Sequence, residues 1–338
     1  MPAKDDAEAI QAFMGGLASE LKLTGTRRHW PNWLYRSDHV ENTAKILNSG
    51  KLLSRALAEE RRCIVKDSAS PRHLENMTDR QRRLVRLYFR PCTPTQFRNE
   101  GIRPETKIKY QAHMPVPVHL LFSVRLLSEQ GVRFSRGRLA PQTDIGKSAE
   151  FLASMNFARI YHDGAVGSHG DQDRPMILNA RHSEVLVADW LLLDHLKHIV
   201  CRSAAERDTL LNLLDSDAKR QWAKRILYDD GQRRMFHRKW IFIKNAHLSR
   251  DESVFEFHLC EDPGDRGPFQ LDIEWYRNSP TDQFHGHNAA DFTVPPEPLT
   301  CKIPESEAGD GYFVSVRLNG DRAYLGQYRT SDLCAVPF

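Results

Sequence analysis

The first residue that could do chemistry is Glu184, in the run Arg181-His182-Ser183-Glu184-Val185-Leu186-Val187. A carboxylate can move a proton and can stabilise a growing positive charge. The residues after it are apolar, and alternate residues of a strand share a face. If Val185 and Val187 enter one packed layer, Glu184, Leu186 and Ala188 face the other side. A glutamate at a strand start more often just reaches water, so its position alone does not make it a catalyst. The second group is cationic. Arg72, Arg80, Arg82, Arg83, Arg86, Arg90, Arg98 and Arg103 are opposed locally only by Glu75, Asp79 and Glu100. Such a stretch suits a polyanion, whether DNA, RNA or a phosphate-rich cofactor. The plain alternative is a solvated helix face.

Other motifs carry less. His285/His287 and His195/His198 lack the further ligands and spacing of a zinc site, so no metal is expected. The "GAVGSHGD" loop lacks the glycine spacing of a phosphate-binding loop. There is no nucleophile elbow. Cys63, Cys92, Cys201, Cys260, Cys301 and Cys334 form no C-x-x-C pair. With no signal peptide and no long apolar run, the chain reads as cytoplasmic, with reduced thiols and no membrane span.

The elements that position these residues divide the 338-residue chain in two. Hydrophobic content of 40% and charged content of 27% suit a globular protein, and the net charge of +4 is only mildly basic. "DDAEAIQAFMGGLASELKL" has the spacing of an amphipathic helix broken or bent near Gly15-Gly16. "WLYRSD" reads as a short strand and turn, and "HVENTAKILNSG" as a helix stopped by Gly50. "LVRLYF", "VPVHLLFSV", "GVRFSRG", "MNFARIY" and "SEVLVAD" are strand candidates. Ser203 and Glu206 form a capping box before a helical stretch that continues through "DAKRQWAKRILY". From about residue 229 the pattern is all-β, with an Asn319-Gly320 hairpin and with His285 and His287 in a loop. The expected fold is therefore α+β over 1–228, with a separate sandwich-like all-β domain over 229–338. Trp240, Trp275 and Tyr276, beside Arg233, Arg234, Arg238 and Lys239, could stack on bases. For Trp240 and Trp275, filling a sandwich core is the favoured reading.

Four segments in order, "YRSDHVENTAKILNSGKLLSR", "LYFRPCTPTQFRNEGI", "LLFSVRLLSEQGVRFSRG" and "ARHSEVLVAD", resemble the DarT family of NAD-dependent DNA ADP-ribosyltransferases. The resemblance spans roughly residues 30 to 200 and leaves the β domain out. It implies a split β core surrounded by helices, NAD as co-substrate, and a toxin or phage-defence effector with an antitoxin as a possible protein partner. It places the catalytic glutamate at Glu184. Tyr35, His39, Asn42, Ile46, Leu47 and Gly50 match the segment that helps line the NAD pocket, while Arg36 and Asp38 stand where the family usually has histidine and threonine. Cys92 replaces the arginine of a Y-F-x-P-R-x-P loop; Arg90, two residues earlier, is the candidate catalytic guanidinium in its place, the alternative being that a catalytic helper has been lost. Arg55 is a further phosphate candidate, and Tyr88 and Phe89 are candidates either to pack beside nicotinamide or to fill the core. Arg136 and Arg138 in the turn, with Arg181 and His182 before the glutamate, are candidates to hold nucleic acid.

The implied reaction has an oxocarbenium-like transition state, which a carboxylate near the ribose would stabilise. The substrate is expected to be a base of DNA, single-stranded or flipped. The alternatives are the same chemistry on RNA, and a nucleic-acid-binding module whose NAD pocket has degenerated, motivated by the departures at Arg36, Asp38 and Cys92.

Overall fold

The computed structural model describes residues 4–168, 173–304 and 309–330. Cys334 and the middle of the Gly-rich loop lie outside the described residues. The amino-terminal part is built on ten strands. These are β1 (Trp33–His39), β2 (Lys51–Leu53), β3 (Leu84–Tyr88), β4 (Pro117–Ser123), β5 (Arg133–Ser135), β6 (Ile145–Gly146), β7 (Glu184–Ala188), β8 (Trp190–Leu192), β9 (Leu196–Cys201) and β10 (Ile226–Tyr228). Eight form one sheet in the order β10-β9-β4-β1-β3-β7-β5-β6, and β2 pairs with β8 apart from it.

That sheet is nearly two sheets. β1 runs beside β4 along its whole length, from Trp33 opposite Ser123 to His39 opposite Pro117. Its pairing with β3 is a single position, Tyr35 opposite Tyr88. Beyond that point β1 and β3 diverge, and a sheet that splits leaves backbone ends and side chains free to line a cleft.

The helices are α1 (Lys4–Glu20), α2 (Val40–Ser49), α3 (Arg55–Glu60), α4 (Pro71–Glu75), α5 (Asp79–Arg82), α6 (Pro94–Asn99), α7 (Ala149–Ala153), α8 (Phe157–Ile160), α9 (Asp173–Ala180), α10 (Ala204–Leu213) and α11 (Ser216–Trp222). One sheet face, with Leu34, Val85, Leu87, Leu120 and Val185, packs on α1, α2, α7, α8, α10 and α11 to form the main core. The other face carries Tyr35, Leu121 and Val200, which Met235 and Phe236 of the following segment partly cover.

Four expectations for the amino-terminal part are corrected. Helix α1 runs unbroken through Gly15 and Gly16. Two helical glycines cost roughly 1 kcal/mol each, and burial of Ile10, Met14 and Leu17, at about 1.5–3 kcal/mol per side chain, offsets that. "MNFARIY" is helix α8, not a strand. Asn156 caps it by accepting the Arg159 N–H, and Phe157, Ile160 and Tyr161 then fall on one buried face. "ILY" at 226–228 leaves the helical stretch as β10, parallel to β9. Ser203 does cap α10 through the Glu206 N–H, but the Glu206 carboxylate turns to Arg202 instead of closing a reciprocal box.

The carboxy-terminal part comprises β11 (Phe242–Leu248), β12 (Glu252–His258), β13 (Phe269–Tyr276), β14 (Gln283–Phe292), β15 (Leu299–Lys302), β16 (Gly311–Leu318) and β17 (Asp321–Arg329). They form sheets β11-β12-β15 and β14-β13-β16-β17. Alternation is plain in β12, where Val254 starts no core run but Ser253, Phe255 and Phe257 are buried. Phe255 and Phe257 meet Ile273, Trp275, Val314 and Tyr324 in a shared core, so the two sheets are a sandwich. Trp275 belongs to that core and donates its indole N–H to Ser253 Oγ at 3.0 Å. Trp240 is also buried, with the Arg103 guanidinium 4.5 Å from its ring. His285 and His287 lie in strand β14 and not in a loop. The sandwich core also takes in Ile102 and Ala205, and the Leu325 N–H on β17 donates to Thr209 Oγ1 of α10 at 3.0 Å. Among the described residues no helix is long and apolar enough to cross a membrane.

Candidate active site

A cavity of about 740 Å³ opens at the split of the sheet. That is within the size range of small-molecule sites. Strand β3 shows how it is lined. Val85, Leu87 and Phe89 point into the core, so Arg86, Tyr88 and Arg90 face the cavity. Glu184 lies directly opposite Tyr88 on β7, on the same face, while Val185 anchors its strand in the core.

Glu184 is buried to 1% exposure. Its backbone N–H donates to Ser135 Oγ at 3.2 Å, and Ser135 donates to Gly137 O at 2.8 Å. These bonds tie β7 to the end of β5 and the turn that follows it. Gly137 has φ +119, and a Cβ there would lie 2.4 Å from the Asn179 side chain, so the turn needs glycine. Burial pushes the Glu184 carboxyl up to about 7. Arg86 is the main opposing influence, followed by the Leu139 amide, Arg138 and the Tyr88 hydroxyl. Arg86 Nη1 is 3.8 Å from Glu184 Oε1. Two atoms here lack any hydrogen-bond partner: Glu184 Oε2, an acceptor, and Arg86 Nη2, a donor. Buried polar atoms are rarely left so. Both residues line the cavity, and these two atoms are themselves buried, an unpaired acceptor beside an unpaired donor.

The structure gathers most of the expected cofactor residues around this cavity. Tyr35, Arg36, Asp38, Asn42, Arg55, Tyr88 and Arg90 all line it. Several are already committed. Arg36 donates to Asp38 Oδ2 at 2.7 Å. Asn42 donates to Asp38 Oδ1 and to Lys66 O, while its own oxygen accepts the Val65 and Lys66 N–H groups. It is a clamp on the Lys66 segment. Arg55 is paired with Glu59 and Asp67.

Phe89 is a correction. It is fully buried in the core, 5.4 Å from the Phe157 ring, because neighbours along a strand point to opposite faces. Arg90 is a correction of a different kind. It donates to the carbonyls of Pro91, Ile160 and His162, so most of its fork braces a turn of the wall. Burial, with Arg181 nearby, lowers its pKa to about 10. Cys92 sits at φ +53 with its thiol near Arg234 O and does not line the cavity.

Of the residues expected to hold nucleic acid, Arg138 and His182 line the cavity and Arg136 and Arg181 do not. Arg136 turns back to Ser154 and over the Phe151 ring. Arg181 donates to Gly164 O and meets His162. His182 bonds Leu178 O and Thr95 Oγ1, and burial lowers its pKa to about 4, so it is neutral and has no charge to offer a phosphate. The arginine-dense stretch is no single track either, since Arg90 and Arg103 are buried. The sequence placed Arg86 only within the arginine-dense stretch and not beside Glu184, although β3 alternation puts it on the cavity face. Sequence reasoning also missed His119, which lines the cavity with Nε2 on Met235 O and Nδ1 unpartnered.

A carboxylate pushed up to about 7 by burial thus stands beside a guanidinium with an unpaired N–H among the residues of a ligand-sized cavity. Residues 35–229 match the family described as "ssDNA thymidine ADP-ribosyltransferase, DarT". That is more than half of the chain, and the chain belongs to this family. The fold is similar to Thermus sp. 2.9 DarT in complex with ADP-ribosylated ssDNA, at 16% identity and TM-score 0.48, over 60% of this chain and 96% of that one. It is also similar to Thermosipho africanus DarTG in complex with ADP-ribose, at 15% identity and TM-score 0.44, over 64% of this chain and 53% of that one. No curated protein matches the sequence.

Proposed function

We propose that the chain transfers ADP-ribose from NAD to a thymine base of single-stranded DNA, with Glu184 as the catalytic carboxylate. The observation that carries this is Glu184 itself, a buried carboxylate on a strand anchored in the core, among the residues that line the cavity and with Oε2 unpartnered. In the reaction the bond from nicotinamide to the ribose anomeric carbon breaks, and its electron pair leaves with nicotinamide. The anomeric carbon becomes oxocarbenium-like, and a thymine nitrogen forms the new bond to it. Glu184 in its ionised form accepts a hydrogen bond from a ribose hydroxyl and stabilises the positive charge. It also takes the proton that the base nitrogen gives up. Its elevated pKa suits that second task, because a base works best when its pKa lies near the working pH.

Arg86, with a free Nη2 donor, and Arg138, on the exposed rim, suit the phosphates of the two substrates. Arg36, Arg55 and Asn42 serve mainly to shape the wall, since their polar atoms are engaged within the protein. The departures at Arg36 and Asp38 form an internal ion pair that keeps this wall built. That favours an enzyme over a degenerate binding module. In the cell we infer a cytoplasmic toxin or defence effector held in check by an antitoxin. Growth arrest on expression of the wild type, but not of Glu184→Gln, would support that role.

The reading is tested by incubating the protein with labelled NAD and separate single-stranded DNA, duplex DNA, RNA and protein. Label on thymine-containing single strands is expected. Label confined to RNA or protein, or equal on thymine-free strands, would overturn it.

A further inference from the structure

The sandwich meets the cavity wall through the tip of one hairpin. Asn319 and Gly320, at φ +51 and +75, make the two-residue turn between β16 and β17. The tip is fixed from several sides. Asn319 N–H donates to Gln270 O at 2.8 Å, Asn319 Oδ1 accepts the Gln270 N–H at 2.7 Å, and Arg317 donates to Gly320 O at 3.0 Å.

The next two residues reach out of the sandwich. Asp321 is ion-paired with Lys66, and its Oδ2 lies 3.1 Å from His113 Nδ1. Arg322 Nε donates to Glu41 Oε1 at 2.8 Å. Lys66 lines the cavity, and its peptide is the one gripped by Asn42. Glu41 opens α2 between Asp38 and Asn42, both of which line the cavity. Burial works against the Asp321 carboxylate, yet His113 and Lys66 outweigh it and hold its pKa below the usual value. Fully exposed ion pairs contribute little. These are only partly exposed: the side chains of Asp321, Arg322 and Glu41 are 15%, 13% and 20% exposed and that of Lys66 is 31%, and the two pairs leave one hairpin side by side. The family match ends at residue 229, so the matched region does not contain this brace.

We propose that Asp321 and Arg322 are positioning residues through which the sandwich braces the Lys66 segment and the start of α2, and so sets the affinity of the cavity for NAD. This rests on the NAD reading above. The brace acts on binding and not on the chemical step, because Glu184 and Arg86 stand on β7 and β3, whose pairing does not involve the hairpin.

The test uses the full chain. Asp321→Asn keeps the size of the side chain and removes its charge. Its KM for NAD is expected to rise about five- to tenfold, with kcat within about twofold, the scale of one partly buried ion pair. Asp321→Glu should restore most of the affinity, which a purely structural lesion would not. If Asp321→Asn does not fold, Arg322→Gln reads the same brace through Glu41. An unchanged KM for NAD in the folded variants, or a fall in kcat at unchanged KM, overturns the proposal. Calorimetric titration of NAD into the Glu184→Gln protein, with and without Asp321→Asn, separates the two claims. No binding to either means the NAD reading has failed, whereas equal binding to both means that only the brace has failed.

Discussion

Two buried carboxylates, Glu184 and Glu206, show how this protein treats charge in different places. Both are withdrawn from water, and burial raises the pKa of both. Glu206 is met by Arg202, whose Nε lies 3.1 and 3.3 Å from its two oxygens and whose Nη2 also bonds it. The same guanidinium donates to Pro115 O at 3.0 Å and lies 4.2 Å from the Phe242 ring. Nearby, Glu100 accepts N–H groups from Gln96, His237 and Arg238. This hub joins the sheet, α10 and the sandwich. Glu184 has its nearest cation at 3.8 Å and one oxygen with no partner. Glu206 is closed off by its protein partners, whereas Glu184 keeps an unpartnered oxygen among the residues of the cavity, the difference on which the proposed role of Glu184 rests.

The comparison can be broken by exchanging the roles. The largest effect is expected from Glu184→Gln, which should lower the transfer rate by roughly 10²- to 10⁴-fold while leaving NAD binding nearly intact. Next comes Arg202→Met, which strands Glu206 and should cost about 3–5 kcal/mol in urea unfolding. If Arg202→Met is neutral, the hub is not the support described here.

Glu184→Gln should act on stability in the opposite direction. The folded protein holds the Glu184 proton more tightly than the unfolded chain does, so folding loses stability as pH climbs from the ordinary carboxylate range to about 7. Glutamine has no proton to lose. The variant should be more stable than wild type by on the order of 2 kcal/mol at pH 8, and little different at pH 5. Paired denaturation curves at the two pH values would check this. The smallest effect is expected from Arg86→Gln. Losing the cation that most favours ionised Glu184 should move the midpoint of the rate–pH profile to higher pH and lower the rate at pH 7 by roughly tenfold.

The sequence made the Glu184 strand legible as a strand because period-2 alternation is local, while the role proposed for Glu184 came from the family resemblance. In "EVLVA" the apolar anchors and the carboxylate separate onto two faces without help from the rest of the chain. The same rule was not applied to "LVRLYF", where it would have separated Tyr88 from Phe89, putting Phe89 in the core and Arg86 beside Glu184. What failed depended on distant partners. "MNFARIY" carries strand-like residues, but Asn156 and the core around Phe13 and Phe89 make it a helix. Arg90 looked like a free guanidinium because the carbonyls it braces, Ile160 and His162, lie seventy residues or more away. The "HGH" stretch looked like a loop because a glycine and two histidines carry no apolar alternation, and pairing with β13 alone holds it extended. The brace from Asp321 to Lys66 crosses 255 positions, and no local pattern announces it.

The central claim is that Glu184 carries the transfer reaction. Its most direct test is mass spectrometry of a thymine-containing single-stranded oligonucleotide after reaction with NAD, comparing wild type with folded, NAD-binding Glu184→Gln. The account expects an ADP-ribose adduct with wild type and almost none with the variant. An adduct formed equally by both would contradict it.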